Sequence, residues 1–307
     1  IYSSRSWPLV VVLHVETAKK KVVSYHEVQE YDRILVFNFD DIRSVISGGS
    51  MFTCRHARAV RPPGLLKHKD GSVLKPVIEG DERTLRELEF YERVFHSKEP
   101  QLRALRDFLP VYRGTWSTVV DGENVQYIKL EDVTATFRRP SVLDVKIGAQ
   151  TYDAFASSDK VALEEGKYPW SRKLGFRILG MRVYDCAHDQ YTLFDKKFGL
   201  RQTPDTVADA FRTFLHKYTT RFAILLSEIL VRLREVESWF ESQQILAFYS
   251  SSILVVYEGS DAGLAANSEP QCVIKMIDFA HAYEADQQDE NYLFGLRNFI
   301  AVLEQIL

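Results

Sequence analysis

The chain is poor in cysteine. Its three, Cys54, Cys186 and Cys272, are odd in number and widely spaced, so neither a disulfide framework nor a CxxC metal site is indicated. Each reads as a small buried hydrophobe, and the chain is expected in a reducing compartment, cytoplasm and nucleus. An excess of charge of one sign is also lacking. With 39 basic and 42 acidic residues the formal net charge is -3, which gives no whole-chain reason to expect a nucleic-acid partner. A polyanionic ligand would need positive charge gathered locally. No apolar run is long enough to suggest a transmembrane segment. The run over residues 7–15 has no basic lead-in and no cleavage site, and Glu16 and three lysines at 19–21 follow it. It reads as a buried strand rather than a signal peptide. Internal repeats and low-complexity tracts are absent. The chain begins at Ile1 rather than Met, as expected of a fragment or an incomplete gene product.

What is present is ordinary for a globular protein: 307 residues, 46% hydrophobic and 26% charged, enough for one large domain or two lobes. Residues 1–47 read as three β-rich runs, at 9–15, 21–28 and 34–39. Short strands at 65–68 and 72–75 flank Lys69-Asp70-Gly71, a hairpin signal. The spacing then predicts a helix over 82–96, with Leu85, Leu88, Val94 and Phe95 on its apolar face. Two strands surround Asp121-Gly122, the second over 125–130. Beyond a polar segment at 151–172 come a strand pair built on 176–183 and helices at 205–218 and 222–243. The second helix carries an apolar stripe of Ile224, Leu225, Ile229, Leu230, Leu233 and Val236. Strands at 248–257 and 272–277, a small-residue loop between them and a helix at 293–307 complete the chain. The plan is α+β and two-lobed: an uncertain β-rich extension over 1–60, an N-lobe over 61–132, and a C-lobe over 133–307 with a short insert at 151–173.

The most informative stretch is Pro140-Ser141-Val142-Leu143-Asp144-Val145-Lys146-Ile147-Gly148. In a strand, alternation puts Asp144 and Lys146 on one face and Val145 and Ile147 on the core side. A carboxylate beside an ammonium suits a phosphate-handling site. The acid can hold a ribose hydroxyl or a metal, and the amine can neutralise phosphate. A surface strand with a weak ion pair, worth about 0–1 kcal/mol, accounts for the same two residues. The rest of the chain weighs against that simpler account. Lys75 closes the hairpin, and Glu87 lies on the next helix. A strand lysine held by a helix glutamate is how kinase-like enzymes aim an ammonium at nucleotide phosphates. In Ile277-Asp278-Phe279-Ala280-His281, apolar Val273, Ile274 and Ile277 lead to Asp278, a carboxylate that is costly to bury without a cation or a donor. One or two carboxylates plus nucleotide phosphates suffice for Mg2+. An HRDxxxxN loop and a GxGxxG loop are both missing, so the protein-kinase set is incomplete. No general base is evident.

Three motifs in this order, Pro140-x-x-x-Asp144-x-Lys146-x-Gly148, Tyr249-Ser250-Ser251-Ser252-Ile253-Leu254 and Ile277-Asp278-Phe279-Ala280-His281, resemble those of the inositol polyphosphate kinases. Residues 151–158, 175–184 and 86–91 look most like the multikinase branch. The resemblance covers about residues 62–307. It implies a protein-kinase-like fold with ATP between the lobes and Mg2+ as cofactor. It also implies transfer of phosphate to inositol polyphosphate hydroxyls, from inositol 1,4,5-trisphosphate to tetrakis- and pentakisphosphate. Phosphatidylinositol 4,5-bisphosphate is a further candidate substrate, and a monomer is expected. An inositol hexakisphosphate kinase and a non-catalytic phosphoinositide-binding scaffold are the alternatives.

Carried over residue by residue, the resemblance gives Lys75 the ATP phosphates, with Glu87 (or Glu89) as its partner. Glu131 and Val133 fall on the adenine-reading hinge. Asp144 takes the ribose, Lys146 the inositol phosphates and the transferring group, and Asp278 the metal. Lys160, Lys167, Arg182 and His281 are assigned to substrate, and Ser252 borders the nucleotide. Independently, Lys160 and Lys167 are seven residues apart, two helical turns, so both can face one small polyanion, with Arg172 and Lys173 nearby. The short insert leaves the site open to several inositol phosphates. Leu163 and Glu164 replace glutamines of some relatives, and an acid there would repel a phosphate unless it points away. Residues 1–50 resemble nothing in the family.

Overall fold

Asp70 and Gly71 reverse the chain between β2 (Leu66–His68) and β3 (Val73–Val77) in the computed structural model. Gly71 sits at φ +84°, a region that strains other residues, and the Asp70 carboxylate accepts the Ser72 amide at 3.0 Å. The structure describes residues 31–32, 65–120, 122–153, 155–215, 221–260 and 272–307, which fall within one unit, Tyr31–Leu307. The runs expected at 9–15, 21–28 and 34–39, Cys54, Asp121 and nearly all of the small-residue loop at 259–271 lie outside the described residues.

Among the described residues the first sheet holds β1 (Tyr31–Asp32), β2, β3, β4 (Tyr112–Val120) and β5 (Glu123–Leu130), in the order β1-β2-β3-β5-β4. Lys75 pairs with Ile128 inside β3 rather than ending the strand, because the ladder continues to Val77. Leu74, Leu66 and Tyr127 form a small cluster of their own, so the alternating Lys75 turns away from it. Between β3 and β4 lies α1 (Glu82–His96), whose Asp81 carboxylate caps the Arg83 amide. Its inward face is Glu87, Leu88, Phe90, Tyr91 and Val94. Leu85, expected on that face, is exposed, and an acid takes its place in the interior. A short helix α2 (Pro100–Leu105), opened by proline, precedes β4. Six residues are too few to leave a periodic signal, so the sequence did not show it.

The second sheet centres on β6 (Pro140–Ile147). The β6–β7 connection holds α3 (Ser158–Lys167), capped by Ser157, and α4 (Ser171–Leu174), closed by Gly175. After β7 (Phe176–Asp185) and β8 (Gln190–Phe194) come α5 (Lys196–Leu200), α6 (Val207–Phe214) and α7 (Phe222–Ser242). The stripe on α7 is buried except for Ile224. The single strand expected over 248–257 is two: β9 (Leu246–Phe248) and β10 (Ser252–Glu258). Ser250 breaks it at φ +61° and donates through Oγ to the Thr151 carbonyl at 2.6 Å. That pivot moves the chain between sheets. β10 pairs with β6 and with β11 (Cys272–Ile277), whereas β9 pairs with β12 (Ala282–Glu284). The closing helix α8 (Glu290–Glu304) packs on the Gly148 end of β6.

The main hydrophobic core runs continuously from α1 through β6, β7 and β10 to α7 and α8. Both sheets therefore share one interior, and the segments that leave it at the sheet ends carry the polar residues of interest.

Candidate active site

Helix α1 and the turn after β11 meet at Lys75. Its Nζ lies 2.8 Å from Glu87 Oε1 and 2.7 Å from Asp278 Oδ1. Glu89 is exposed on the opposite side of the helix, so Glu87 is the partner. The same Glu87 oxygen accepts the Phe279 amide at 3.2 Å, and the preceding Arg86 donates through Nη1 to the Ala280 carbonyl at 2.8 Å. Two adjacent helix residues thus grip the backbone on the C-terminal side of Asp278. Phe279 is fully buried, stacked on Phe90 with centroids 4.2 Å apart. Asp278 itself sits at φ +65°, which costs a non-glycine residue energy and persists only where the surroundings fix it. Its side chain is 45% exposed, so it ends up more open than the buried carboxylate expected from the strand before it.

Burial pushes the Lys75 ammonium toward its neutral form, but Asp278 and Glu87 together outweigh that and hold its pKa above the ordinary value. Asp278 is the converse: desolvation raises it, and Lys75, then Lys146, bring it below the usual carboxylate range. Lys75 and Asp278 are thus both held in their charged forms, and with Glu87 they form an acid–base–acid bridge between the first sheet, α1 and the second sheet.

On β6, Asp144 and Lys146 share a face and Leu143, Val145 and Ile147 are buried opposite. The ladder to β10 is regular, placing Lys146 against Ser252 and Asp144 against Leu254. Toward β7 the register slips between Asp144 and Val145, and Lys146 lies opposite Arg177. Burial and then Arg177 lower the pKa of Lys146, while Asp278, Asp144 and Glu164 oppose them. Lys146 therefore stands in the field of both acids named from the motifs.

The insert is less simply basic than its composition implies. Lys167 pairs with Glu164, and Arg172 pairs with Glu165 at 2.7 Å. Glu164 does not point away: it also accepts from Thr151 Oγ1 at 3.2 Å and acts on Lys146. Lys160 lies 3.9 Å from Asp153, a buried acid that also takes His281 Nδ1 at 2.8 Å and the Tyr283 hydroxyl at 3.0 Å. Lys160 and His281 are thus brought together, through a residue that sequence spacing had not marked. His281 is 128 positions from Asp153, a separation that no local pattern records.

Arg182 is not brought to this group. It pairs with Val142, five positions along β7 from Arg177, with its guanidinium 4.7 Å from the Tyr191 ring and a contact to the Pro140 carbonyl. Beside Lys146 the cation is Arg177, which the sequence reading passed over. Glu131 and Val133 lie in the connection between β5 and β6. The Glu131 amide donates to the Val111 carbonyl at 2.9 Å, and its carboxylate accepts the Val111 amide at 3.1 Å, pinning that connection to the start of β4. Among the described residues no group of three or more His, Cys, Asp or Glu could hold a metal by itself.

A mixed α+β architecture in which a strand lysine, a helix glutamate and a post-strand aspartate converge is that of the kinase-like folds. A crystal structure of an inositol phosphate multikinase from S. cerevisiae, in complex with ADP and Mn2+, superposes with a TM-score of 0.62 at 24% identity. The match covers 76% of this chain and 98% of that one. The inositol polyphosphate kinase family profile matches residues 127–304, and this chain belongs to that family. It is 42% identical over 200 residues to a Homo sapiens inositol polyphosphate multikinase, covering 64% of this chain and 47% of that protein. To an Arabidopsis thaliana inositol polyphosphate multikinase beta it is 31% identical over 265 residues, covering 80% and 88%. The chain spans about half the length of the mammalian relatives it matches.

Proposed function

We propose that this chain is a Mg-ATP-dependent inositol polyphosphate kinase. It would carry inositol 1,4,5-trisphosphate to tetrakis- and pentakisphosphates, with ATP held between the first-sheet unit and the second. The observation that carries this reading is the Glu87–Lys75–Asp278 bridge set beside the Asp144–Lys146 face of β6. Lys75 and Lys146 supply two positive charges, from opposite sheets, to the phosphates of one nucleotide. Asp144 is suited to a ribose hydroxyl, and the pinned 131–133 connection supplies backbone groups to adenine.

A divalent metal fits what Asp278 offers. The carboxylate is partly exposed and ionised and pairs with Lys75, and among the described residues no group of acids and histidines completes a protein cage around it. Such a site suits Mg2+, which keeps water and takes its remaining ligands from nucleotide phosphates. When bound, it would neutralise charge on the transferring phosphate. The residues of the chain do the rest: phosphoryl transfer needs positioning and charge stabilisation more than covalent chemistry.

Lys146, Lys160, Lys167 and His281 are assigned to the inositol phosphate. Arg182, assigned to the same substrate by the family resemblance, lies farther along β7, beside the Tyr191 ring. Glu164 favours a substrate with free hydroxyls over a fully phosphorylated ring, since an acid paired with Lys167 and acting through space on Lys146 repels an additional phosphate. That argues for the multikinase activity over a hexakisphosphate kinase. The lipid phosphatidylinositol 4,5-bisphosphate shares the same head group and is included among the substrates. A panel of inositol phosphates and the lipid, incubated with Mg-ATP and resolved by anion exchange, tests the reading. Turnover of the trisphosphate supports it, and turnover of the hexakisphosphate alone contradicts it.

A further inference from the structure

Asp153 is the most heavily engaged acid that the assignments above leave without a role. Its side chain is 6% exposed and lies in the stretch between β6 and α3. Oδ1 accepts the Phe155 amide at 3.0 Å. Oδ2 receives the Tyr283 hydroxyl at 3.0 Å and faces His281 Nδ1 at 2.8 Å, with Lys160 Nζ at 3.9 Å. Tyr283 is itself held from α1, with the Arg86 guanidinium 5.0 Å from its ring centre. Burial would raise the pKa of this carboxyl, but the Tyr283, His281 and Phe155 donors outweigh it and keep it low. Asp153 is therefore an anion, and an anion only accepts hydrogen bonds.

That fixes the hydrogen on the imidazole. Nδ1 must carry it, which leaves Nε2 as the ring nitrogen without a hydrogen. A phosphate oxygen that carries no proton is also only an acceptor, so it can hydrogen-bond to Nε2 only if that nitrogen gains a proton. We propose that Asp153 is a positioning residue that locks His281 with hydrogen on Nδ1, so that binding of a ligand phosphate at Nε2 takes up one proton from solution. The proposal rests on the assignment of His281 to the inositol phosphate. The bookkeeping is simple: solvent gives one proton to Nε2, the ring becomes an imidazolium, and its two N–H groups bridge the Asp153 carboxylate and the phosphate.

The charged and titratable groups around the ring agree with an initially neutral state. Burial is the largest influence and lowers the pKa of His281, Lys160 from α3 and Arg86 from α1 lower it further, and Asp153 opposes them. Asp81, at the start of α1, also feels the ring, and Tyr283 completes the set through Asp153.

Isothermal titration with inositol 1,4,5-trisphosphate, at pH 7.5 in buffers of different ionisation enthalpy, reads the proton directly. His281→Ala gives the baseline set by the ligand's own phosphates. Wild type should take up about one proton more than that baseline. Asp153→Asn should fall to the baseline, while Tyr283→Phe, which removes another donor from the same oxygen, should keep the extra proton. Nitrogen-15 NMR of histidine-labelled wild type without ligand reads the tautomer and does not depend on any variant folding. Hydrogen on Nδ1 of His281 is expected. Hydrogen on Nε2, or an Asp153→Asn protein that retains the full extra proton, overturns the proposal. If wild type binds no inositol phosphate, the functional reading fails, and the tautomer alone then decides what Asp153 does.

Discussion

Lys75 touches two acids of different character. Glu87 is buried, gripped by the Phe279 amide as well, and holds the lysine in place; Asp278 is half open and is the acid proposed for the metal. The two should respond differently to mutation. Asp278→Ala should cut turnover by about 10²–10³-fold or more while unfolding by urea stays close to wild type, because the pairing lost is half open and Lys75 keeps Glu87 as its partner. Lys146→Ala should abolish turnover in the same way. Wild-type rates in either variant would refute the roles given to them. Glu87→Ala, in contrast, leaves the Phe279 amide without its acceptor and should also cost about 1–3 kcal/mol of stability in urea titrations. A Glu87→Ala protein as stable as wild type would mean the bridge is not held from α1.

At the scale of elements, the site is assembled where helices meet strand ends. A Cβ on Gly295 of α8 would lie 2.0 Å from the Gly175 carbonyl and 2.6 Å from the Gly148 amide, groups that bond to each other at 2.8 Å just beyond Lys146. Gly295→Ala should therefore cost about 1–3 kcal/mol and disturb the end of β6, lowering both melting temperature and activity. An unperturbed melting curve would contradict that packing. Asp289 caps α8 through the Tyr292 amide at 2.9 Å and also receives the Phe248 amide of β9 at 2.6 Å. Burial, against those backbone donors, pushes its pKa from 3.8 up to about 6. The folded state then binds the proton more tightly than the unfolded chain. The resulting stabilisation is complete below about pH 4 and is lost as pH rises through about 6, a swing on the order of 1–3 kcal/mol. Measured at pH 4.5 and 7.5, the stability gap between wild type and Asp289→Asn should shift by that amount in favour of wild type at the lower pH. A gap independent of pH would remove the titration from Asp289.

Over the whole molecule, what the sequence disclosed follows how far each signal travels along the chain. The hairpin at Asp70-Gly71, α1 and β11 were legible because a turn residue, a helical period or an apolar run is local. The break at Ser250 was not, since it depends on a hydrogen bond to Thr151 about a hundred residues away. The motifs marked Lys75, Asp144, Lys146 and Asp278, which the fold brings into one field. They did not mark Asp153 or Arg177, which join that region only through strand pairing and the return of the chain after β11. Counting bases in the insert overstated its charge, because Glu164 and Glu165 answer Lys167 and Arg172 across helical turns.

In the function proposed, the two halves of this fold meet around Mg-ATP and an inositol phosphate. The most direct measurement is incubation of the folded protein with Mg-ATP and inositol 1,4,5-trisphosphate, followed by anion-exchange separation of the products. Tetrakis- and then pentakisphosphate should appear. No turnover of any inositol phosphate by protein with an intact circular dichroism spectrum would contradict the account.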